Sequence, residues 1–286
     1  MMRQLAAALL AALTLAVATP AAILAQIAPR EQASEAQVAP LVDALGLGEL
    51  LPIMRDEGLA YGADIAADMF PERSTARWTA LVDGIYDAER MRGVMEEELA
   101  QRLTPTEIDT LMQFFDSDLG RRIVRLEVSA RRALLDDAVE EASVAALEEM
   151  RAEDDPRLEL LAEFIEVNDL VEMNVVGALN SNYAFYQGLD AGGAFDGALT
   201  ESEMLADVWR QEAEIRAETE EWVYSYLGMA YRPLDDDDIA AYTALSRTPE
   251  GQALNAALFG AFEVLFNAIS RDLGLAAAQM MAGEDI

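Results

Sequence analysis

The side chains that usually carry enzyme chemistry are largely missing from this chain. Its 286 residues include no His and no Cys, and all 20 basic residues are Arg. Thiol nucleophiles, histidine bases and the usual zinc ligands are therefore absent. The composition excludes disulfide bonds and most hydrolase mechanisms. We expect a protein with no catalytic activity of its own, no cofactor and no bound metal.

Carboxylates are the reactive groups that remain. The clusters are Asp235 to Asp238, Glu96 to Glu98, Asp136 and Asp137 with Glu140 and Glu141, and Asp154 with Asp155. Paired carboxylates can bind a hard cation or hydrolyse a glycosidic bond. Acids in the first turn of a helix also stabilise its dipole, and acids elsewhere cover solvated faces. We favour this structural interpretation and keep a carboxylate-dependent hydrolase as a third functional hypothesis.

One acidic segment has the outer spacing of a calcium-binding loop. Asp190 and Glu201 stand at its first and twelfth positions. Gly192 and Ala194, however, occupy positions that need oxygen ligands, and Phe195 stands where the sharp turn needs Gly. The sequence therefore predicts no calcium site here.

A set of amide and aromatic residues could form a groove for a ligand or partner. Its members are Asn180, Asn182, Tyr183, Tyr186, Trp78 and Trp209. One interpretation is packing: the helix over 49–70, rich in Ala and Gly, lies against the helix over 169–189, whose aromatic side chains fill the space. The other is a groove in which the polar groups orient a ligand on apolar walls. We favour packing and keep the groove as the alternative.

The elements that must position these residues are predicted to be helices. After Gly48, apolar residues recur at helical steps, at Leu50, Met54, Tyr61, Ile65 and Met69. This period is typical of a helix with one buried face, and no alternating strand pattern competes with it. Long helices are predicted over 75–102 and 200–231, and the last helix is predicted to bury Leu254, Ala257, Ala261 and Val264. N-caps that begin helices are predicted at Thr104, Ser117, Thr200 and Thr248.

The two halves of the chain repeat one pattern. Leu103 to Ile108 is matched by Leu234 to Ile239, an offset of 234 minus 103, or 131 residues. At the same offset Trp78 pairs with Trp209, Ser117 with Thr248, and Gly120 with Gly251. The first helices of the halves pair at a smaller offset, 168 minus 48, or 120. This difference predicts a tandem duplication with an insertion of about 11 residues at Asp190 to Thr200.

The repeated residues resemble a known family. Leu103-Thr104-x-x-Glu107-Ile108, followed by Phe114-Phe115-x-Ser117-x-x-Gly120, is similar to the helical core of the DUF2059 family of secreted bacterial proteins. The resemblance covers Leu103 to Asp137, and Leu234 to Asp272 matches more loosely. It implies an exported helical domain, with no activity that can be carried over.

These patterns predict an all-α fold in which two tandem, related multi-helix units form a pseudo-symmetric helical bundle. The expected boundaries are a signal peptide at 1–25, a flexible segment at 26–40, repeat units at 41–150 and 157–275, and a C-terminal tail at 276–286. The signal peptide rests on Arg3, the apolar run from Leu5 to Val17, and small residues up to Ala25. A retained membrane anchor is the alternative.

Charge and compartment limit the function. The net charge is −33, so we expect no nucleic-acid partner and, after cleavage of the signal, no integral membrane form. The predicted function is a periplasmic or secreted interaction module for a polypeptide or cell-envelope partner. The alternative is a small-molecule binding protein with its site between the two repeats. The oligomeric state is left open.

Overall fold

The computed structural model describes residues 31–71 and 75–283, which form helices and contain no strand. The all-α prediction is confirmed. The helices are α1 (Glu35–Ala44), α2 (Leu47–Met69), α3 (Thr75–Ile85), α4 (Ala88–Arg102), α5 (Pro105–Phe115), α6 (Asp118–Ala133), α7 (Asp137–Ala152), α8 (Arg157–Val167), α9 (Leu170–Ala191), α10 (Glu201–Trp209), α11 (Glu212–Ala230), α12 (Asp236–Ser246) and α13 (Pro249–Ala282).

The predicted N-caps are confirmed. The Thr104 hydroxyl accepts a hydrogen bond from the backbone N–H of Glu107, and Thr200 caps α10 in the same way. Ser117 and Thr248 each accept, at 3.0 Å, from the backbone N–H of the glycine three residues later. Each cap satisfies a donor that has no partner inside its helix.

The two long helices predicted over 75–102 and 200–231 are wrong, because each is broken in two. The first breaks at Asp87, whose carboxylate accepts from the backbone N–H of Arg90 at 2.8 Å and so caps a new helix. The second breaks at Arg210 and Gln211, between α10 and α11. An Asp in the middle of a helical pattern competes for backbone donors, which explains the first break.

The central helix is α13, which packs mainly along α9 and also against α4, α3, α2, α5 and α12. The predicted pairing of the helices over 49–70 and 169–189 is therefore wrong. Gly188 and Gly274 provide the reason: a Cβ on Gly188 would lie 2.1 Å from the carbonyl oxygen of Arg271, and one on Gly274 would lie 2.1 Å from that of Phe185. These glycines let α9 and α13 meet backbone to backbone.

Length and composition alone would allow α13 to cross a membrane, and α1 with α2 pass the same test as a pair bent by 73°. In this fold α13 packs against more helices than α9 does, and Ala257, Ala261, Leu265 and Ile269 lie in the core. Only 28% of its most apolar stretch is buried, so this packing accounts for part of its apolar composition. Val264, predicted to be part of this buried face, is exposed, because the stripe passes through Leu265 instead.

Helices α1 to α6 form the first half of the fold and helices α8 to α13 form the second. Corresponding helices of the two halves follow each other in the same order along the chain. The residue before α2 and the residue before α9 are both left-handed, Gly46 at φ +70° and Asp169 at φ +51°. Helix α1 contacts α4 and α5 as α8 contacts α11 and α12, while α6 packs on α11 and α13 on α4. The last helix of each half thus crosses onto the other half. Descent of both halves from one ancestral unit stays a prediction.

The expected pairing of Trp78 with Trp209 is wrong. Helices α3 and α10 begin at residues 75 and 201, an offset of 126, which places Met204 opposite Trp78. The segment between α9 and α10 has nine residues, 192–200. Helix α11 has 19 residues against 15 in α4, so part of the difference of 11 residues lies within a helix and not at Asp190 to Thr200.

Two predicted boundaries are corrected. Residues 35–40, expected to be flexible, form the beginning of α1, and Val38 and Leu41 are fully buried. Residues 276–282, expected to be a tail, continue α13, where Ala277 and Met280 are buried. Apolar side chains at both ends join the core, which fixes these segments. The predicted signal peptide lies outside the described residues.

Candidate functional site

A cleft of about 600 Å³ opens between the two halves of the fold. Helices α2 and α6 contribute one side, and α9, α11 and α13 contribute the rest. Its lining is mainly apolar: Leu50, Met54, Arg131, Met173, Asn174, Val176, Gly177, Ala178, Ser181, Trp222, Tyr226, Phe259, Phe262, Glu263 and Phe266. Its volume lies in the range of sites for small organic ligands.

Aromatic rings form a firm wall of this cleft. Trp222 and Tyr226 stack with their centroids 5.1 Å apart, and Phe262 lies 5.9 Å from Phe266. The Arg131 guanidinium lies 4.8 Å from the Trp222 ring, a distance suited to a cation–π contact, and pairs with Glu57 at 2.6 Å. The Glu57 carboxylate offsets part of the charge of Arg131, whose Nε is buried without a hydrogen-bond partner.

Other residues that line the cleft can adapt to a guest or leave space for it. Met54 and Met173 have unbranched side chains that adjust to a guest. Val176 is 40% exposed, which is high for an apolar residue on a packed helix. A Cβ added to Gly177 would meet nothing within 4 Å. The space beside Gly177 is therefore open.

A second, polar hollow of about 420 Å³ continues along α9 and α13. It is lined by Asn180, Tyr183, Ala184, Gln187, Glu263, Asn267, Ala268 and Arg271, and shares Glu263 with the cleft. The Asn180 amide donates to the Glu263 carboxylate at 2.8 Å. The Oδ1 atom of Asn267 is buried without a hydrogen-bond partner. Two of the sequence-predicted groove residues, Asn180 and Tyr183, meet here.

Three of the predicted polar groove residues hold α10 and α11 against α9. Asn182 donates to Gln211 at 3.0 Å, Tyr183 donates to Glu201 at 2.9 Å, and Tyr186 donates to Asp207. These bonds raise the pKa of both phenols, since each faces a carboxylate. The rings of Tyr183 and Tyr186 therefore pack within their own half of the chain.

The two tryptophans differ in how far they are buried. Trp78 is 2% exposed, and its indole N–H donates to the Gly62 carbonyl at 2.5 Å, while its ring meets Phe70 edge to face. Trp209, at the end of α10, is 64% exposed. Neither lines the cleft, where Trp222 stands instead. The sequence offered one indication of the cleft: α13 is apolar on two faces, and Phe259, Phe262 and Phe266 lie on the second.

A titratable group lies behind the cleft wall. The Glu127 carboxylate accepts from the Tyr231 hydroxyl at 2.6 Å, and its backbone carbonyl accepts from Tyr226 at 3.1 Å. Burial raises the pKa of Glu127 to about 7, although the Tyr231 bond acts in the opposite direction. Burial and the nearby Glu127 raise the pKa of Tyr231 as well. This carboxyl therefore titrates near neutral pH.

The carboxylate clusters serve caps and ion pairs. Asp235 and Asp238 form a capping box at the start of α12. Arg122 pairs with Asp238 at 3.2 Å, and Arg157 pairs with Asp236 at 3.5 Å. Within 31–71 and 75–283, no three carboxylates are grouped to hold a metal ion. The positions of these acids agree with the structural interpretation.

Comparison with known proteins bears on part of this region. Residues 89–149 match the DUF2059 family. The family is described as an uncharacterized protein conserved in bacteria. The expected resemblance is confirmed for this DUF2059 segment, which runs from α4 into α7 and includes Glu127 and Arg131. No curated protein and no solved structure matches the chain.

Proposed function

We propose that this protein is a non-catalytic binding protein that takes an apolar guest in the cleft between its two halves. The observation that carries the proposal is a preformed, mainly apolar cleft of about 600 Å³ with stacked aromatic side chains on one wall. Burial of apolar surface would supply the affinity, and polar groups at the cleft would orient the guest. The lack of His and Cys favours binding over bond chemistry.

A polypeptide partner is the second candidate. Trp209 favours it, because a tryptophan that is 64% exposed offers a large apolar contact to another surface. Under this hypothesis the guest of the cleft would be an apolar side chain of the partner. The two candidates differ in whether a small probe alone occupies the cleft.

Filling the cleft should weaken the binding of a small apolar probe. We expect Gly177→Leu to weaken the binding of N-phenyl-1-naphthylamine, followed by its fluorescence, by about tenfold or more. The new side chain would enter open space, so the fold should tolerate it. Gly93→Leu is the matched control, because Gly93 is also a helical glycine with nothing within 4 Å and lies outside the cleft. Equal binding by both variants would contradict the proposal.

We further propose that the protein is exported and processed. The support is the charged start, the apolar run and the small residues that precede Gln26. Fractionation of the native cells and N-terminal sequencing should find a soluble mature form that begins near Gln26. Recovery of the intact N-terminus in membranes would show a retained anchor instead.

A further inference from the structure

The cleft and the polar hollow form one groove along two parallel helices. Asn180 of α9 bonds to Glu263 of α13, and Gly188 of α9 approaches Arg271 of α13. Both pairs are 83 residues apart in the sequence, so the two helices run in the same direction. Glu263 lines both cavities. From Met173 to Gln187 the groove follows α9 for 14 residues, which at 1.5 Å per residue is about 21 Å. A site of this length suits an extended guest.

The chemistry of the groove changes along its length. The end near Phe259 is apolar and flanked by α2 and α11, whereas the end near Arg271 carries amide, carboxylate and guanidinium groups. A guest that matches both ends must itself have an apolar chain and a polar head. Amphiphiles with a single chain have this form.

The polar end has a charged group without a protein partner. Arg271 is exposed and forms no ion pair among the described residues, although the chain has 53 acidic residues for its 20 arginines. A guanidinium can bind an anionic oxygen. The head should therefore offer an anionic group.

The charge of the whole protein restricts the head further. A net charge of −33 repels a guest that is anionic overall. A head with no net charge avoids this repulsion while its negative group meets Arg271. Glu263, whose carboxylate faces the same hollow, can then accept from the positive group.

We propose that the groove along α9 and α13 binds a single-chain amphiphile with a zwitterionic head, with the chain in the cleft and the anionic group at Arg271. This inference rests on the proposed function and names its guest. It assigns the apolar wall and the polar hollow to one ligand.

The experiment compares two probes that share a dodecanoyl chain. One is a lysophospholipid with a phosphoethanolamine head, the other the monoacylglycerol, both used below the concentrations at which they form micelles. We expect wild-type protein to bind the lysophospholipid about tenfold more tightly, measured by displacement of N-phenyl-1-naphthylamine. Arg271→Gln should bring the two affinities to within about threefold.

The control is Arg125→Gln, which removes the same charge from an exposed position that lines neither cavity. It should leave the preference for the lysophospholipid as in wild type. Equal binding of both probes by the wild-type protein would overturn the inference, and so would a preference that Arg271→Gln does not reduce. In either case, binding of the dye would still support an apolar site. Displacement of the dye by a cationic amphipathic peptide but not by the lysophospholipid would also overturn the inference. Failure of the dye itself would contradict the proposed function.

Discussion

Replacement of Gly188 by alanine is expected to destabilise the fold by about 3 kcal/mol or more. The added Cβ would lie 2.1 Å from the carbonyl oxygen of Arg271 and 2.8 Å from the backbone nitrogen of Leu275. Backbone atoms of a helix cannot rotate away as a side chain can, so α9 and α13 must separate along their main contact. Urea unfolding followed by circular dichroism would measure the loss of free energy.

Gly177→Ala provides the matched control, since Gly177 lies on the same helix with nothing within 4 Å of its added Cβ. It should stabilise the protein by up to about 1 kcal/mol, because Ala favours a helix more than Gly does. If Gly188→Ala were as stable as Gly177→Ala, the close approach of α9 and α13 would be wrong. The same reasoning applies to Gly274 on the other side of the contact.

Replacement of Glu127 by glutamine should stabilise the protein above pH 7 by about 2 kcal/mol and have little effect near pH 4. The pKa of Glu127 is raised from 4.5 to about 7 by burial. A raised carboxyl pKa means that the fold prefers the protonated form. The stabilisation that protonated Glu127 gives the fold is therefore greatest below the pKa of this carboxyl in the unfolded chain. It is lost as pH rises through about 7. Glutamine stays neutral throughout and can still accept from Tyr231.

Urea unfolding of wild type and variant at several pH values between 4 and 8 would measure the difference in stability. Glu141→Gln is the control for the loss of one negative charge from an acidic protein, since Glu141 is exposed on α7. It should change stability by no more than about 0.5 kcal/mol at any pH. A stability difference for Glu127→Gln that did not grow with pH would contradict the raised pKa.

The local features of this protein could be read from its sequence. Thr104, Ser117 and Thr248 begin helices as predicted, because a cap needs only a side-chain oxygen and a backbone N–H a few residues later. The exclusion of His and Cys chemistry also needs composition alone. The DUF2059 resemblance rested on the same local residues.

The candidate site could be predicted only in part. Asn180 and Tyr183 line the polar hollow, but Asn182 and Tyr186 line neither cavity. The aromatic side chain in the cleft is Trp222, which the repeat pattern did not select. A repeat marks equivalent positions along the chain and does not reveal which of them face each other across the fold.

The sequence by itself determined that the chain is helical, where most helices begin, and which reactive side chains it lacks, since these depend on composition and on neighbours within a few residues. Only the tertiary structure decided which helix faces meet. Gly188 and Gly274 join α9 to α13, and the resulting cleft lies beside Gly177. Burial is a property of contacts between distant segments, so Trp78 and Trp209, alike in the sequence pattern, end at 2% and 64% exposure.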